Sequence, residues 1–239
     1  MIQNNNNPNI MTDEALHFFG KISASVSHEI NNIINSISEM SGLLIDLSIN
    51  AEHGRPLDVQ KTKKHSESIL KQSQRGFAIL KRFNRFAHGV DKPLTTFNPI
   101  VHIENMVELC NRFAILKNVK LNFEPPKESP LVNGNPFKLQ HAFFIYLEAA
   151  LNTIDKNGTI NIVFDNSTDC LKICLNIEPI KNIEETVMRI NIHEDILKKM
   201  NCQACINTIE ESNTVNIKLT FSELLLESIE HSSSLQNLH

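Results

Sequence analysis

Between Phe19 and Leu47 an apolar residue returns every three or four positions: Phe19, Ile22, Val26, Ile30, Ile33, Ile37, Met40, Leu44 and Leu47. Those steps match the turn of an α-helix, whereas a strand repeats every second residue, so the segment predicts one long helix with a continuous apolar seam. It runs to about Asn50, about 57 Å at a rise of 1.5 Å per residue. Asp13 and Glu14 place negative charge in its first turn, where the helix dipole favours it, and Gly54-Arg55-Pro56 breaks it. A second helical pattern continues to about His88 with Ile69, Leu70, Phe77, Leu80, Phe83 and Phe86 on its apolar side. Two helices in one hairpin cannot bury two seams by themselves. The pattern therefore predicts a homodimer in which two hairpins form a four-helix bundle.

Glycine usage narrows the chemistry. Only seven glycines occur, and none follows Gly158. Loops that cradle phosphates with backbone N–H groups need glycine for close approach, so Walker and dinucleotide-binding loops are excluded. A net charge of −4 and a pI near 6.2 speak against nucleic acid as a partner. The longest apolar run, Ala142 to Leu147, stops at Glu148, far short of a membrane span. No signal peptide pattern is present, so a cytoplasmic protein with five reduced cysteines is expected, with no membrane partner.

Four segments follow from composition and periodicity. Residues 1–11 are Asn-rich and read as a disordered lead-in. Residues 12–90 form the helical hairpin. Residues 91–221 mix helical and alternating patterns: helices over Ile100–Leu116, from Asn135-Pro136 to about Ile154, and over 183–200, with strands at Val119–Phe123, Thr159–Phe164, Leu171–Ile177 and two further runs ending near Phe221. Asp155–Gly158 reads as a turn. The fold class is α+β, a long helical hairpin followed by a small sandwich of helices on a sheet. Residues 222–239 begin as a helix and end as a polar tail.

One position on the first helix carries chemistry. His28, in Ser25-Val-Ser-His28-Glu29-Ile-Asn-Asn32, is offset by two residues from both Val26 and Ile30, about 200° around the helix from each. It therefore projects from the polar side. Asn32 lies one turn on and Glu29 is adjacent, so an imidazole, a carboxylate and an amide share one exposed stripe. An imidazole acts as a nucleophile when one ring nitrogen is unprotonated and the other is held.

The run from Phe18 to Asn32 resembles the H-box of bacterial sensor histidine kinases, a Ser-His-Glu followed by two residues and then Asn or Thr. Leu80–Ala87 resembles the closing helix of the same dimerisation and phosphotransfer domain, and Val132–Gln140 is similar to the entry into the ATP-binding domain. The resemblance spans residues 13–221. It implies that His28 is the phosphoacceptor, Glu29 its acid/base neighbour and Asn32 a residue that positions water.

The second domain departs from that family. The position that coordinates Mg²⁺ falls at Ala149, with Glu148 and Asn152 out of register. The adenine-binding Asp-x-Gly-x-Gly is replaced by Asn176-Ile-Glu-Pro-Ile180, and the lid is reduced to residues 181–189. The combination resembles dimeric histidine phosphotransferases of phosphorelays. These pass a phosphoryl group between the aspartates of response-regulator receiver domains through a histidine. That implies receivers as partners, no cofactor on this chain, and Mg²⁺ supplied by the receiver. Two alternatives stay open: a non-catalytic pseudokinase docking module, and an ATP-dependent kinase with a remodelled site. Cys202-Gln-Ala-Cys205 has metal or redox spacing but no second ligand pair, and His193-Glu194 repeats the dipeptide without the H-box; both read as structural or surface features.

Overall fold

The computed structural model describes residues 8–91, 94–127, 131–165 and 170–225. Two helices come first, α1 (Pro8–Glu52) and α2 (Val59–Ala87). Pro8 sits in the first turn of α1, where its missing N–H costs no hydrogen bond, so the helix begins four residues before Thr12. The remainder of the lead-in lies outside the described residues. Gly54 closes α1 at φ 82°, a conformation that favours glycine.

The chain divides into two compact units. The helical unit, Phe19–Arg85, is narrower than the expected 12–90, because Phe18 and Phe86 belong to the other unit. Inside the hairpin, Ile22, Val26 and Ile33 of α1 and Gly76 and Ile79 of α2 are buried, and Phe19 meets Phe83 with ring centroids 6.3 Å apart. The rest of the α1 seam, from Ile37 to Leu47, is half-buried. The apolar side expected for α2 needs correction. Its inner stripe runs through Gln72, Gly76, Ile79 and Phe83, whereas Leu70, Phe77 and Leu80 are 59%, 73% and 46% exposed. Contact with α1, rather than the sum of apolar positions, selects the inner face.

A Cβ built on Gly76 would sit 3.5 Å from Ile33 Cγ2, an ordinary van der Waals contact. Glycine inside a helix loses more backbone entropy on folding than alanine does. Gly76→Ala should therefore stabilise the protein by about 0.5–1 kcal/mol and raise the melting temperature by about 2–4 °C. A lower melting temperature would show that the helices need to approach more closely than this geometry implies.

The second unit is a mixed sheet with helices against one face. Strand β1 (Thr95–Phe97) pairs antiparallel with β3 (Val132–Gly134) as a separate ribbon. The main sheet has the order β2 (Lys120–Glu124), β4 (Ile154–Asp165), β5 (Cys170–Ile180), β7 (Thr214–Leu225) and β6 (Cys202–Ile209). Among the described strand pairs only β2–β4 is parallel. Helices α3 (Pro99–Leu116) and α4 (Pro136–Thr153) both open on Asn-Pro: Asn98 Oδ1 accepts from the Ile100 N–H and Asn135 Oδ1 from the Lys138 N–H, with proline at the next position. Two short helices, α5 (Ile183–Asn191) and α6 (Glu194–Lys199), replace the single helix expected over 183–200.

Alternation sets the two faces of the sheet. Ile160, Ile162, Leu171, Ile173, Leu175, Ile177, Val215, Ile217 and Leu219 are buried on the helix side. On the open side the register aligns Asn122, Asn161, Asn176, Asn216 and Asn207 in one row across all five strands. Asn122 Nδ2 donates to Asn161 Oδ1 at 2.8 Å. Amides both donate and accept, so such a row rewards one register, and a one-residue slip would bury it. The turn expected at Asp155–Gly158 is instead an irregularity within β4, where the pairing shifts between Ile154 and Thr159 and Asn157 takes φ 66°. Strand β7 continues past Phe221 to Leu225, so residues 222–225 are strand rather than helix; the rest of the tail lies outside the described residues.

Phe18 is 1% exposed and lies against Phe86, Phe137 and Phe144 at centroid distances of 5.3, 5.4 and 4.9 Å. It also stacks on His141 at 4.8 Å. Burial among these rings, with a smaller contribution from His193, depresses the His141 pKa from 6.5 to about 4. Because the folded pKa is the lower one, the unfolded chain takes up a proton first as pH falls. Stability carried by neutral His141 is present above 6.5 and is lost as pH drops toward 4. We expect this one group to make the protein about 2 kcal/mol less stable at pH 5 than at pH 7. Urea unfolding of His141→Phe should show a correspondingly flatter pH profile, and an unchanged profile would contradict the assignment.

Candidate functional site

The expected site residues lie on α1 in the helical unit. Ile22, Val26 and Ile33 are buried while His28 and Asn32 are exposed, so the seam and the reactive stripe occupy different sides of the helix. One helical turn separates His28 and Asn32, which leaves an open surface over both. Glu29 is only half exposed. Its side chain turns toward the partner helix, where Glu29 Oε1 accepts a hydrogen bond from Arg75 Nη2 of α2 at 2.6 Å. Adjacent side chains on a helix diverge by about 100°, so Glu29 and His28 do not face each other.

Arg75 is the site residue that sequence reasoning misses. It precedes Gly76, the residue that packs on Ile33, and this contact sets the level at which α2 meets Glu29. Periodicity identifies the two helices but not their relative register, which depends on the turn and on side-chain packing. A lone arginine on a polar helix face gives no sequence signal of its own.

In the α/β unit the positions compared with the kinase nucleotide site are occupied by hydrocarbon. Ala149 is 6% exposed and Ile177 is fully buried. Helix α5 follows β5 after two residues and packs on α4, and its Thr186 is fully buried. Asn152 accepts a hydrogen bond from Lys117 Nζ at 2.8 Å at the surface.

The cysteine pair is split by strand geometry. Cys202 is buried on the helix side, and burial pushes its thiol up to about 12. Cys205, three residues on, faces the opposite, exposed side, so the two cannot close on one ion. Among the described residues no group of three or more His, Cys, Asp or Glu side chains could hold a metal. No described helix is long and apolar enough to cross a membrane. His193 is half-buried beside α6.

No protein-family model matches the chain. Among solved structures it is similar to the histidine kinase ThkA in complex with the response regulator protein TrrA, at 17% identity and a TM-score of 0.45, over 87% of this chain and 63% of that one. It is also similar to a protein described as a bacterial phosphotransferase, at 11% identity and a TM-score of 0.44, over 84% and 95% of the two chains. A third is the Acinetobacter baumannii histidine kinase AdeS, at 9% identity and a TM-score of 0.44, over 79% and 95%.

Proposed function

We propose that this chain is a phosphorelay histidine phosphotransferase that accepts a phosphoryl group from the aspartate of one response-regulator receiver on His28 and passes it to a second receiver. The observation that carries this reading is an exposed histidine in a Ser-His-Glu-x-x-Asn run on the outward side of a helix whose inward side is packed. An imidazole in its neutral form has one unprotonated nitrogen, so such an attack needs access and alignment more than it needs a base. The N–P bond forms from that lone pair as the P–O bond of the acyl phosphate breaks and its electrons return to the receiver carboxylate. Asn32, one turn away, is placed to hold water over the same surface.

The residues of the second unit do not fit Mg-ATP. A methyl group at Ala149 cannot ligate Mg²⁺, Ile177 cannot read the adenine amino group, and α5 packs where a lid would leave a cleft. In this reading the α/β unit supports docking, and Mg²⁺ comes with the receiver. The test is to mix the purified chain with phosphorylated receivers and, separately, with labelled Mg-ATP. Acid-labile label from a receiver but not from ATP supports the reading. Labelling by ATP alone would favour a remodelled kinase.

The working unit in this reading is a homodimer. Ile34 and Ile45 of α1 and Leu70 and Phe77 of α2 are 56%, 60%, 59% and 73% exposed on the single chain, an apolar load that isolated soluble proteins seldom leave uncovered. Light scattering should give the mass of two chains, and Ile37→Asp should reduce it toward one by placing a charge in the seam. A concentration-independent monomer would rule the bundle out.

A further inference from the structure

A phosphoryl group arriving on His28 brings two negative charges to the residue that precedes Glu29, the two Cα atoms being about 3.8 Å apart. Something must offset that repulsion, and α2 supplies a cation at the level of Glu29. Arg75 reaches across from α2 and spends one of its N–H donors on Glu29 Oε1 at 2.6 Å. Its side chain is nevertheless 55% exposed, against 24% for Glu29, so the rest of the guanidinium fork is open to solvent. The neighbouring Gly76 rests on Ile33, so the root of Arg75 is held while its long side chain can swing. A guanidinium prefers a dianionic phosphoryl group, with which it can form two parallel hydrogen bonds, to a single carboxylate oxygen.

We propose that Arg75 is the anion-holding residue of the His28 site: it rests on Glu29 in the unmodified protein and engages the phosphoryl oxygens during transfer. The proposal rests on the phosphotransfer reading above and adds to it a positively charged residue from the second helix. It assigns Glu29 the further task of keeping Arg75 in place between transfers.

Potassium phosphoramidate tests this without a protein partner. The imidazole lone pair forms the N–P bond, the P–N bond of phosphoramidate breaks, ammonia leaves, and the other ring nitrogen keeps its proton. Label at His28 is followed by mass mapping of the full chain, with His28→Ala as the blank. Arg75→Ala and Arg75→Gln should raise KM for phosphoramidate by at least about tenfold while kcat changes by less than about threefold. Arg75→Lys, which keeps the charge, should stay within about threefold of the parent in KM. Inorganic phosphate should compete with labelling of the parent and much less with Arg75→Ala. Melting temperatures should agree within about 2 °C, since an exposed ion pair contributes little to stability. Arg75→Gln can still donate to Glu29, so parental kinetics in that variant would show the pair to be purely structural and overturn the proposal. An unchanged KM in Arg75→Ala would also overturn it, as would a loss of labelling that tracks a loss of folding in all three variants. If the parent chain takes label neither from phosphoramidate nor from any receiver, the phosphotransfer reading fails as well, and the two failures are told apart by that control.

Discussion

His28→Ala is expected to abolish phosphoryl transfer from a phosphorylated receiver, leaving less than about 1% of the label of the parent chain, while the protein stays folded. The loss is complete because the imidazole is the acceptor atom itself, and no neighbouring group replaces it: Glu29 is engaged by Arg75, and Asn32 carries an amide without nucleophilic character. Stability should change by less than about 0.5 kcal/mol, since His28 is exposed and alanine is the better helix former. Phosphate-affinity gels or acid lability of bound radiolabel read the first quantity and circular dichroism the second. Label retained by His28→Ala would move the acceptor to one of the other histidines. Tight receiver binding with no label on either chain would instead favour the docking module.

Phe18→Ala is expected to cost about 3–5 kcal/mol, enough to unfold a marginally stable domain. Phe18 is 1% exposed and touches four aromatic rings, so truncation leaves a cavity among Phe86, Phe137, His141 and Phe144 that rigid helices cannot close. Phe19 is only half-buried, with Phe83 as its ring neighbour, so Phe19→Ala should cost about half as much. Urea unfolding of the two variants decides the order. A larger effect at Phe19 would restore the simple reading of the seam, in which Phe19 is the first inward residue.

That contrast separates what was legible in the sequence from what was not. The Phe19–Leu47 repeat determines a helix, because only a 3.6-residue period brings those side chains to one side. His28 follows as an outward residue from the same geometry. Alternation over 159–164 and 171–177 determines strands with one buried face, and the Asn-Pro pairs determine where α3 and α4 begin. These are local rules, settled by backbone geometry within a few residues of each position.

The inner stripe of α2, the salt bridge from Arg75 to Glu29, the aromatic cage around Phe18 and the asparagine row across the sheet join residues far apart in the chain. The break between α5 and α6 at Ile192-His193 is local, yet α5 also packs on α4. Phe18 and Phe19 are equally apolar, and Arg75 has the same charge as Arg85. Which one is buried or paired depends on the register of one element against another. That register is chosen by the summed contacts of whole faces, and only the tertiary structure contains that sum.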